Sequence, residues 1–315
     1  MRLLSAILLG LFACAGPAPL QDELGPPSPP TGQVAYRVLG VAQDAGLPHI
    51  GCECARCEAA RAEGRRELVA SAAVEGRTGW WLLDATPDLP AQIHAQGSMP
   101  QGIFLTHAHI GHYTGLMYLG REALGAKQMP VWCSPRMAEY LRSNGPWSQL
   151  IELGQIELHE YHADMPVRLE EGLMLTPFRV PHRDEFSDTH GFELRHHDPT
   201  AKTLGGSFVF LPDIDQWDRW DRRLESFFRP GAHLLIDGTF WSGAELPHRD
   251  LDEIPHPLVS HSIERFRDAA RETQTTVRFF HLNHSNPLWD RHGPEAQQLE
   301  AAGFHIARTG ARHDF

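Results

Sequence analysis

Three closely spaced histidines are the residues of this sequence best suited to chemistry. His107, His109 and His112 follow a short apolar run at residues 103–105 that predicts a buried strand, and they precede a predicted helix at 113–119. Side chains two residues apart at a strand end project to one side, and a third from the first turn of a helix can reach the same space. Because neutral imidazole binds zinc, iron and manganese well, we expect a metal site.

Other histidines and aspartates also follow apolar runs that predict strands. The residues that follow these runs are Asp84, His107, His182, Asp213 and His281. A single polar residue in such a place is usually a turn former or a cap; a hydrogen-bonded histidine remains the alternative for His182 and His281, and a helix cap for Asp213. Five residues restricted to two types nevertheless predict that imidazoles and carboxylates gather at one rim of the core.

Three crowded cysteines predict a second metal site. Cys52, Cys54 and Cys57 lie within six residues. Disulfide pairing among them would leave one thiol unpaired and would force a very small ring. Three thiolates with one histidine make a closed tetrahedral zinc site, so we expect a structural zinc. Cys133 stands alone after an apolar run and is expected to be an inert core thiol.

Composition narrows the classes of partner. The 315 residues include 28 Lys and Arg against 40 Asp and Glu, a net charge of −12, and they contain no block of basic residues. Proteins that bind nucleic acid need a concentrated basic surface, so we expect no nucleic acid partner. A small-molecule substrate is the expected partner.

The amino terminus predicts export. Residues 1–14 combine a positive start, a ten-residue apolar stretch too short to span a bilayer, and a Leu-Phe-Ala-Cys ending that resembles a bacterial lipobox. Acylation of Cys14 would then be the chain's only attachment to a membrane. Residues 15–33 are proline-rich and predict an extended tether. We expect a periplasmic protein or a membrane-anchored lipoprotein, with plain secretion as the alternative.

The remaining residues, 34–315, contain no linker long enough to separate domains and predict a single domain. Strands are predicted at 34–39, 68–74, 79–83, 156–162, 173–180, 190–195, 207–211, 233–236 and 276–282, and helices at 88–95, 135–143, 216–228, 260–273 and 294–302. Most strands are grouped, with helices between the groups. This order favours an α+β protein with a two-sheet core and outer helices.

These motifs together resemble the metallo-β-lactamase superfamily, whose αββα four-layer sandwich collects metal ligands at strand ends. The resemblance covers residues 34–306. The cysteine cluster and the segment His281-Leu-Asn-His284 resemble the cyclic phosphodiesterase of phosphonate breakdown. The segments 131–135, 236–241 and 283–287 are more similar to the coenzyme PQQ synthesis protein B family.

The resemblance implies a role for each candidate residue. A first metal would be held by His107, His109 and His182; Asp213 would bridge it to a second metal, which His112 and His281 would also bind. Asp213 and His112 are the residues assigned to catalysis. Asp84 would accept an imidazole N–H and fix the tautomer of a ligand. The structural zinc would be held by Cys52, Cys54, Cys57 and His284, with His256 as a substitute for His284.

One position departs from the family's pattern. The family has aspartate where this chain has Gly111, and that carboxylate normally serves the second metal. Its loss predicts a weaker second position or a changed metal preference. Zinc or iron, as one or two ions, would therefore occupy the histidine site.

Three functions follow from this resemblance. The leading hypothesis is a metal-dependent hydrolase in which activated water attacks an ester, a lactone or a phosphodiester. The second is iron-dependent oxidation or handling of a PQQ precursor, against which the export signal counts. The third is a non-catalytic binding protein of the cell envelope.

Overall fold

The computed structural model describes residues 33–197, 204–247, 249–250 and 253–315. Strands and helices follow one another along these residues. The predicted export signal at 1–14 and residues 15–32 of the predicted tether lie outside the described residues. The strands are β1 (Ala35–Gly40), β2 (Ser71–Glu75), β3 (Trp80–Leu83), β4 (Gly102–Phe104), β5 (Met129–Cys133), β6 (Ile156–Glu160), β7 (Val167–Glu170), β8 (Leu173–Val180), β9 (Thr189–His197), β10 (Leu204–Leu211), β11 (Ala232–Asp237), β12 (Thr276–Phe280), β13 (His305–Ile306) and β14 (Arg312–Asp314). The helices are α1 (Ala55–Glu63), α2 (Leu89–Gln96), α3 (Ile110–Tyr113), α4 (Pro135–Ser143), α5 (Trp147–Glu152), α6 (Val259–Thr273) and α7 (Pro294–Ala301).

The strands form two mixed sheets of related topology. The first sheet has the order β14-β1-β2-β3-β4-β5-β6, and the second has the order β13-β12-β11-β10-β9-β8-β7. In the first sheet β3 to β6 run parallel, and in the second β10 to β13 run parallel. The antiparallel pairs leave β1 pointing the same way as β3, and β8 the same way as β10. The loops after these strands therefore emerge at one edge of each sheet.

The two sheets pack face to face through aromatic side chains. Tyr36 of β1 stacks on Phe208 of β10 with ring centroids 3.9 Å apart, and Phe104 of β4 meets Phe192 of β9 edge-on at 5.9 Å. On the outer faces, α2, α4 and α5 cover the first sheet, while α6 and α7 pack with the second. This arrangement confirms the predicted αββα sandwich of the α+β class.

Most predicted elements are present, and one is wrong. Each strand predicted from the sequence overlaps an observed strand, and 173–180 matches β8 at both ends. The helix predicted at 216–228 is instead two short 3₁₀ turns, Trp217–Arg219 and Leu224–Phe227. The apolar spacing that predicted a helix comes from two tryptophans whose indoles are buried at different places. The Nε1–H of Trp217 donates to Ser262 Oγ, and that of Trp220 donates to the Arg179 carbonyl. Asp213 therefore caps no helix there.

Two smaller expectations have clear outcomes. Asp88 lies before α2, but its carboxylate accepts the Val69 N–H at 2.9 Å and pairs with Arg66 rather than capping the helix. Cys133 is a fully buried free thiol, and burial raises its pKa to about 12, as expected of an inert core cysteine. Among the described residues, no helix combines the length and apolar character that a membrane span requires.

Candidate metal centres

The loops that follow the strands carry the predicted metal ligands to one place. His107 and His109 lie between β4 and α3, His182 follows β8, Asp213 follows β10, and His281 follows β12. Asp84 and His281 have left-handed backbones, with φ of 67° and 58°. Residues other than glycine hold this strained conformation only where the surrounding structure enforces it, which is common at functional sites.

The first candidate position is formed by three histidines. Each of His107, His109 and His182 offers a ring nitrogen, and these nitrogens lie within 4.8 Å of one another. His182 Nε2 is 3.3 Å from His109 Nδ1. The opposite nitrogen of His109, Nε2, is 3.0 Å from Glu185 Oε2, so this carboxylate favours the proton on Nε2 and leaves Nδ1 facing the other histidines.

Asp213 lies at the centre of the histidine group. Its Oδ2 is 3.0 Å from His112 Nε2, 3.4 Å from His281 Nε2 and 4.0 Å from His107 Nε2. Its Oδ1 is 3.6 Å from His182 Nε2. One carboxylate thus faces histidines of both predicted metal positions, as the bridging role requires.

Asp44, which was not predicted, contributes a second carboxylate. It lies in the segment between β1 and α1, and its Oδ1 is 3.4 Å from His112 Nε2 and 3.6 Å from His281 Nε2. The ligand atoms of these three residues all lie within 4.8 Å of one another. The second candidate position therefore has two imidazoles and a carboxylate besides Asp213.

A buried aspartate and threonine orient two of the histidines. Asp84 Oδ2 is 2.7 Å from His112 Nδ1, and its carboxylate also accepts the Thr106 N–H and O–H. Because the Thr106 hydroxyl donates to Asp84, it accepts the His107 Nδ1–H, at 2.9 Å. In the neutral ring of either histidine these bonds leave the lone pair on Nε2, which faces the pocket; the contacts therefore fit the tautomer-fixing role predicted for Asp84.

The second sheet supplies a matching arrangement. Asp237 Oδ1 accepts the Thr239 hydroxyl at 2.7 Å, and Thr239 Oγ1 lies 3.0 Å from His281 Nδ1. Asp237 Oδ2 is 2.7 Å from His256 Nδ1. His256 therefore belongs to the histidine pocket, also 3.8 Å from Asp213 Oδ1, and its predicted role as a substitute ligand of the cysteine site is wrong.

Burial and close charges perturb the pKa values of this pocket. Burial, with neighbouring imidazoles, holds the pKa of His107 well below its usual range, and burial lowers that of His182 to about 4. Burial alone would raise the pKa of Asp213 and Asp44, but the imidazoles facing each carboxylate hold both well below the usual range. The carboxylates are thus ionised and the His107 and His182 rings neutral, the states in which these groups bind cations. Burial alone would lower the pKa of His112, but the Asp213 and Asp84 carboxylates hold it well above its usual range, so a cation bound there displaces a proton.

Unsatisfied buried atoms show that the pocket fits metal ions. Within the described part of the chain, five buried atoms that face this pocket have no hydrogen-bond partner: Asp44 Oδ1, His107 Nε2, His112 Nε2, Asp213 Oδ2 and His281 Nε2. Buried polar atoms are rarely left unpaired, because each costs about 1–3 kcal/mol. Convergent lone pairs on nitrogen and oxygen are the donor set that zinc, iron and manganese accept.

The cysteines and His284 form a separate cluster. The Sγ atoms of Cys52, Cys54 and Cys57 lie 3.5, 4.0 and 3.6 Å from His284 Nδ1. A tetrahedral zinc with ordinary Zn–S and Zn–N bonds would place sulfur and nitrogen roughly 3.6 Å apart. The three thiols are free rather than disulfide-bonded. The geometry therefore fits the predicted structural zinc.

Five functional candidates were missed in the sequence. Asp44 follows a strand, as the predicted ligands do, but no motif marks it. The other four, Thr106, Glu185, Asp237 and Thr239, act through their neighbours; the spacing of Asp237-Gly-Thr239 after an apolar run is the signal that could have identified two of them.

The family to which the chain belongs follows from a comparison with known proteins. A family described as "Beta-lactamase superfamily domain" matches residues 79–275, more than half of the chain and the part that carries most of the histidine pocket. The chain belongs to the β-lactamase superfamily. This membership confirms the resemblance to the metallo-β-lactamase superfamily.

Relatives within the β-lactamase superfamily agree with the finer resemblance. The chain is 28% identical to coenzyme PQQ synthesis protein B of Nitrosococcus oceani and 26% identical to that of Azotobacter vinelandii, each match covering 87% of this chain and 97% of the relative. Among solved structures, zinc-bound PqqB of Methylobacterium extorquens has a TM-score of 0.75 at 21% identity, covering 89% of this chain and 100% of that one. A diphosphatase of the PhnP family has a TM-score of 0.63 at 22% identity, covering 90% and 97%.

Proposed function

We propose that this protein is a metal-dependent hydrolase whose histidine pocket prepares water to attack an ester, a lactone or a phosphodiester. The observation that carries the proposal is the convergence of the unpaired, buried Nε2 atoms of His107, His112 and His281 on Asp213 Oδ2. A divalent ion held there would supply hydroxide at neutral pH and would polarise the carbonyl or phosphoryl oxygen of the substrate.

The residues of the pocket have distinct tasks in this proposal. His107, His109 and His182 would hold one ion, and His112 and His281 a second, with Asp213 between them. Asp84 and Asp237 keep the facing imidazoles in a single tautomer through the hydrogen bonds described above. Because these carboxylates are themselves fully buried, the ligands are held before substrate arrives, and little reorganisation is needed at the moment of reaction.

Replacement of pocket histidines tests the proposal. We expect His107→Ala and His109→Ala to abolish hydrolysis of a panel containing a carboxylic ester, a lactone and a phosphodiester, while circular dichroism shows an intact fold. His261→Ala, at an exposed position on α6, is the matched control and should retain full activity. Unchanged turnover by a metal-free variant that carries both substitutions would disprove metal-dependent hydrolysis. A wild-type protein that is fully loaded with metal and turns over none of the three substrates would favour a non-catalytic binding protein.

An oxidative function is the second candidate, favoured by the nearly full-length similarity to PQQ synthesis B proteins. In that case the same pocket would hold iron and act on a PQQ precursor. Iron content, oxygen uptake and a hydroxylated product, each lost in His107→Ala, would support it. If the zinc-loaded protein hydrolyses a substrate and takes up no oxygen, the hydrolase hypothesis is supported and the oxidative one is contradicted.

Export is part of the proposal, supported by the apolar segment that ends at Cys14. The substrate would then be a small molecule met outside the cytoplasm, with a lipid on Cys14 as the only membrane attachment and no nucleic acid partner.

A further inference from the structure

Gly111 and Asp44 share one small volume beside the second candidate metal position. A Cβ added to Gly111 would overlap the Asp44 carboxylate, with Cγ at 2.7 Å and the Asp44 Cα at 2.8 Å. Real Cβ atoms do not approach other heavy atoms so closely. A side chain at position 111 and the observed place of Asp44 therefore exclude each other.

The Asp44 carboxylate faces the two histidines of the second position. Its Oδ1 is buried and unpaired, 3.4 Å from His112 Nε2 and 3.6 Å from His281 Nε2. The Asp44 side chain as a whole remains 31% exposed, toward a cleft that also borders His49 and His284. One carboxylate oxygen thus points at the imidazoles, while an open path remains for an ion or water.

Asp44 is held in this place from both sides of its loop. Before it, the Gln43 N–H donates to the Leu282 carbonyl and the Leu282 N–H to the Val41 carbonyl, at 2.9 and 2.8 Å. After it, the same loop carries Cys52 and Cys54, which meet His284, three residues beyond His281. Backbone bonds and the cysteine cluster therefore fix the carboxylate relative to His281.

We propose that Asp44 supplies the second metal position with the carboxylate that the chain lacks at Gly111, so that the pocket holds two ions. The assignment rests on the metal-dependent function proposed above. The site then requires glycine at position 111, because any Cβ there would occupy the space of the Asp44 carboxylate, which comes from another loop. The weakened second position expected from the sequence is replaced by one whose hard anionic ligand comes from residue 44.

Metal content separates this inference from the question of activity. Metal-free protein is loaded with Zn²⁺, freed of unbound ions, and its zinc counted per folded chain. We expect about three ions for the wild type, one in the cysteine cluster and two in the histidine pocket, and about two for Asp44→Asn. Glu53→Gln, an exposed acidic residue of the same loop, is the charge-matched control and should keep three. With Co²⁺, the thiolate charge-transfer band should survive in Asp44→Asn, placing the loss in the histidine pocket.

A second variant tests the shared volume. Gly111→Ala should displace the Asp44 carboxylate and also bind about two ions, and combining it with Asp44→Asn should remove no further ion. This variant also serves if Asp44→Asn does not fold. A wild-type count of two, three ions retained at wild-type affinity by Asp44→Asn, or three retained by Gly111→Ala would overturn the inference. Because the count needs no turnover, loss of one ion in Asp44→Asn supports the inference whether or not the chain hydrolyses any substrate.

Discussion

Replacing Asp84 by asparagine should weaken metal binding in the histidine pocket, although Asp84 acts on the metal only through His112. The two carboxylate oxygens of Asp84 accept three donors, the His112 Nδ1–H at 2.7 Å, the Thr106 N–H at 2.8 Å and the Thr106 hydroxyl. Asparagine has one oxygen and one NH₂ group, so in either orientation its NH₂ meets a donor. If it meets His112, the imidazole must carry its proton on Nε2, the nitrogen that faces Asp213.

The size of the effect follows from these contacts. A buried donor left without an acceptor costs about 1–3 kcal/mol. Loss of such an orienting hydrogen bond lowers metal affinity about 10–100-fold, which corresponds to about 1.4–2.7 kcal/mol. We therefore expect Asp84→Asn to bind Zn²⁺ in the histidine pocket about 10–100-fold more weakly in competition with a chromogenic chelator, and to unfold at lower denaturant concentration.

A matched control separates affinity from stability. Asp88 is also a buried carboxylate that accepts a backbone N–H, from Val69, but it pairs with Arg66 rather than an imidazole. Asp88→Asn should lose stability with no change in zinc affinity. If both variants bind zinc like the wild type and differ only in stability, the argument that Asp84 acts through the His112 tautomer is refuted.

Three further predictions concern other parts of the chain. Cys54→Ser should lose one zinc per chain and, at free zinc about 100 times the dissociation constant, about 2.7 kcal/mol of unfolding free energy measured in urea; an unchanged zinc count would contradict the structural site. Burial, aided by the charge of Arg278, lowers the pKa values of His233 and His313 to about 4. Between pH 4 and about 6.5 the unfolded imidazoles bind protons that the folded ones do not. Unfolding free energy should therefore fall as pH drops through this window, by on the order of 1 kcal/mol per group after solvent screening, and His233→Gln should flatten the profile. Cys14→Ala should release the protein from membrane fractions of the native host, whereas a wild type already in the soluble fraction would argue against the lipid anchor.

Much of the fold could be predicted from the sequence because its signals are local. Alternation and apolar runs give strands such as β8 and β10, whose inward side chains meet the opposite sheet. The false helix at 216–228 shows where this reasoning stops. Trp217 and Trp220 have helical spacing, yet the bonding partners of their indoles lie on α6 and β8, far away in the chain. Short edge strands such as β13 carry too few residues for a pattern and depend on their neighbours for pairing.

The sequence by itself determined which residue types would gather: the His-x-His-x-x-His motif, the strand-end Asp213 and the cysteine cluster are chemically distinctive without coordinates. Only the tertiary structure decided which oxygen reaches which histidine. It brought Asp44 into the space beside Gly111, 67 positions away in the chain, and placed His256 beside Asp237 instead of the cysteines. The physical reason is that ligand geometry depends on distances of a few ångströms between loops of different strands, and only the packing of two complete sheets sets those distances.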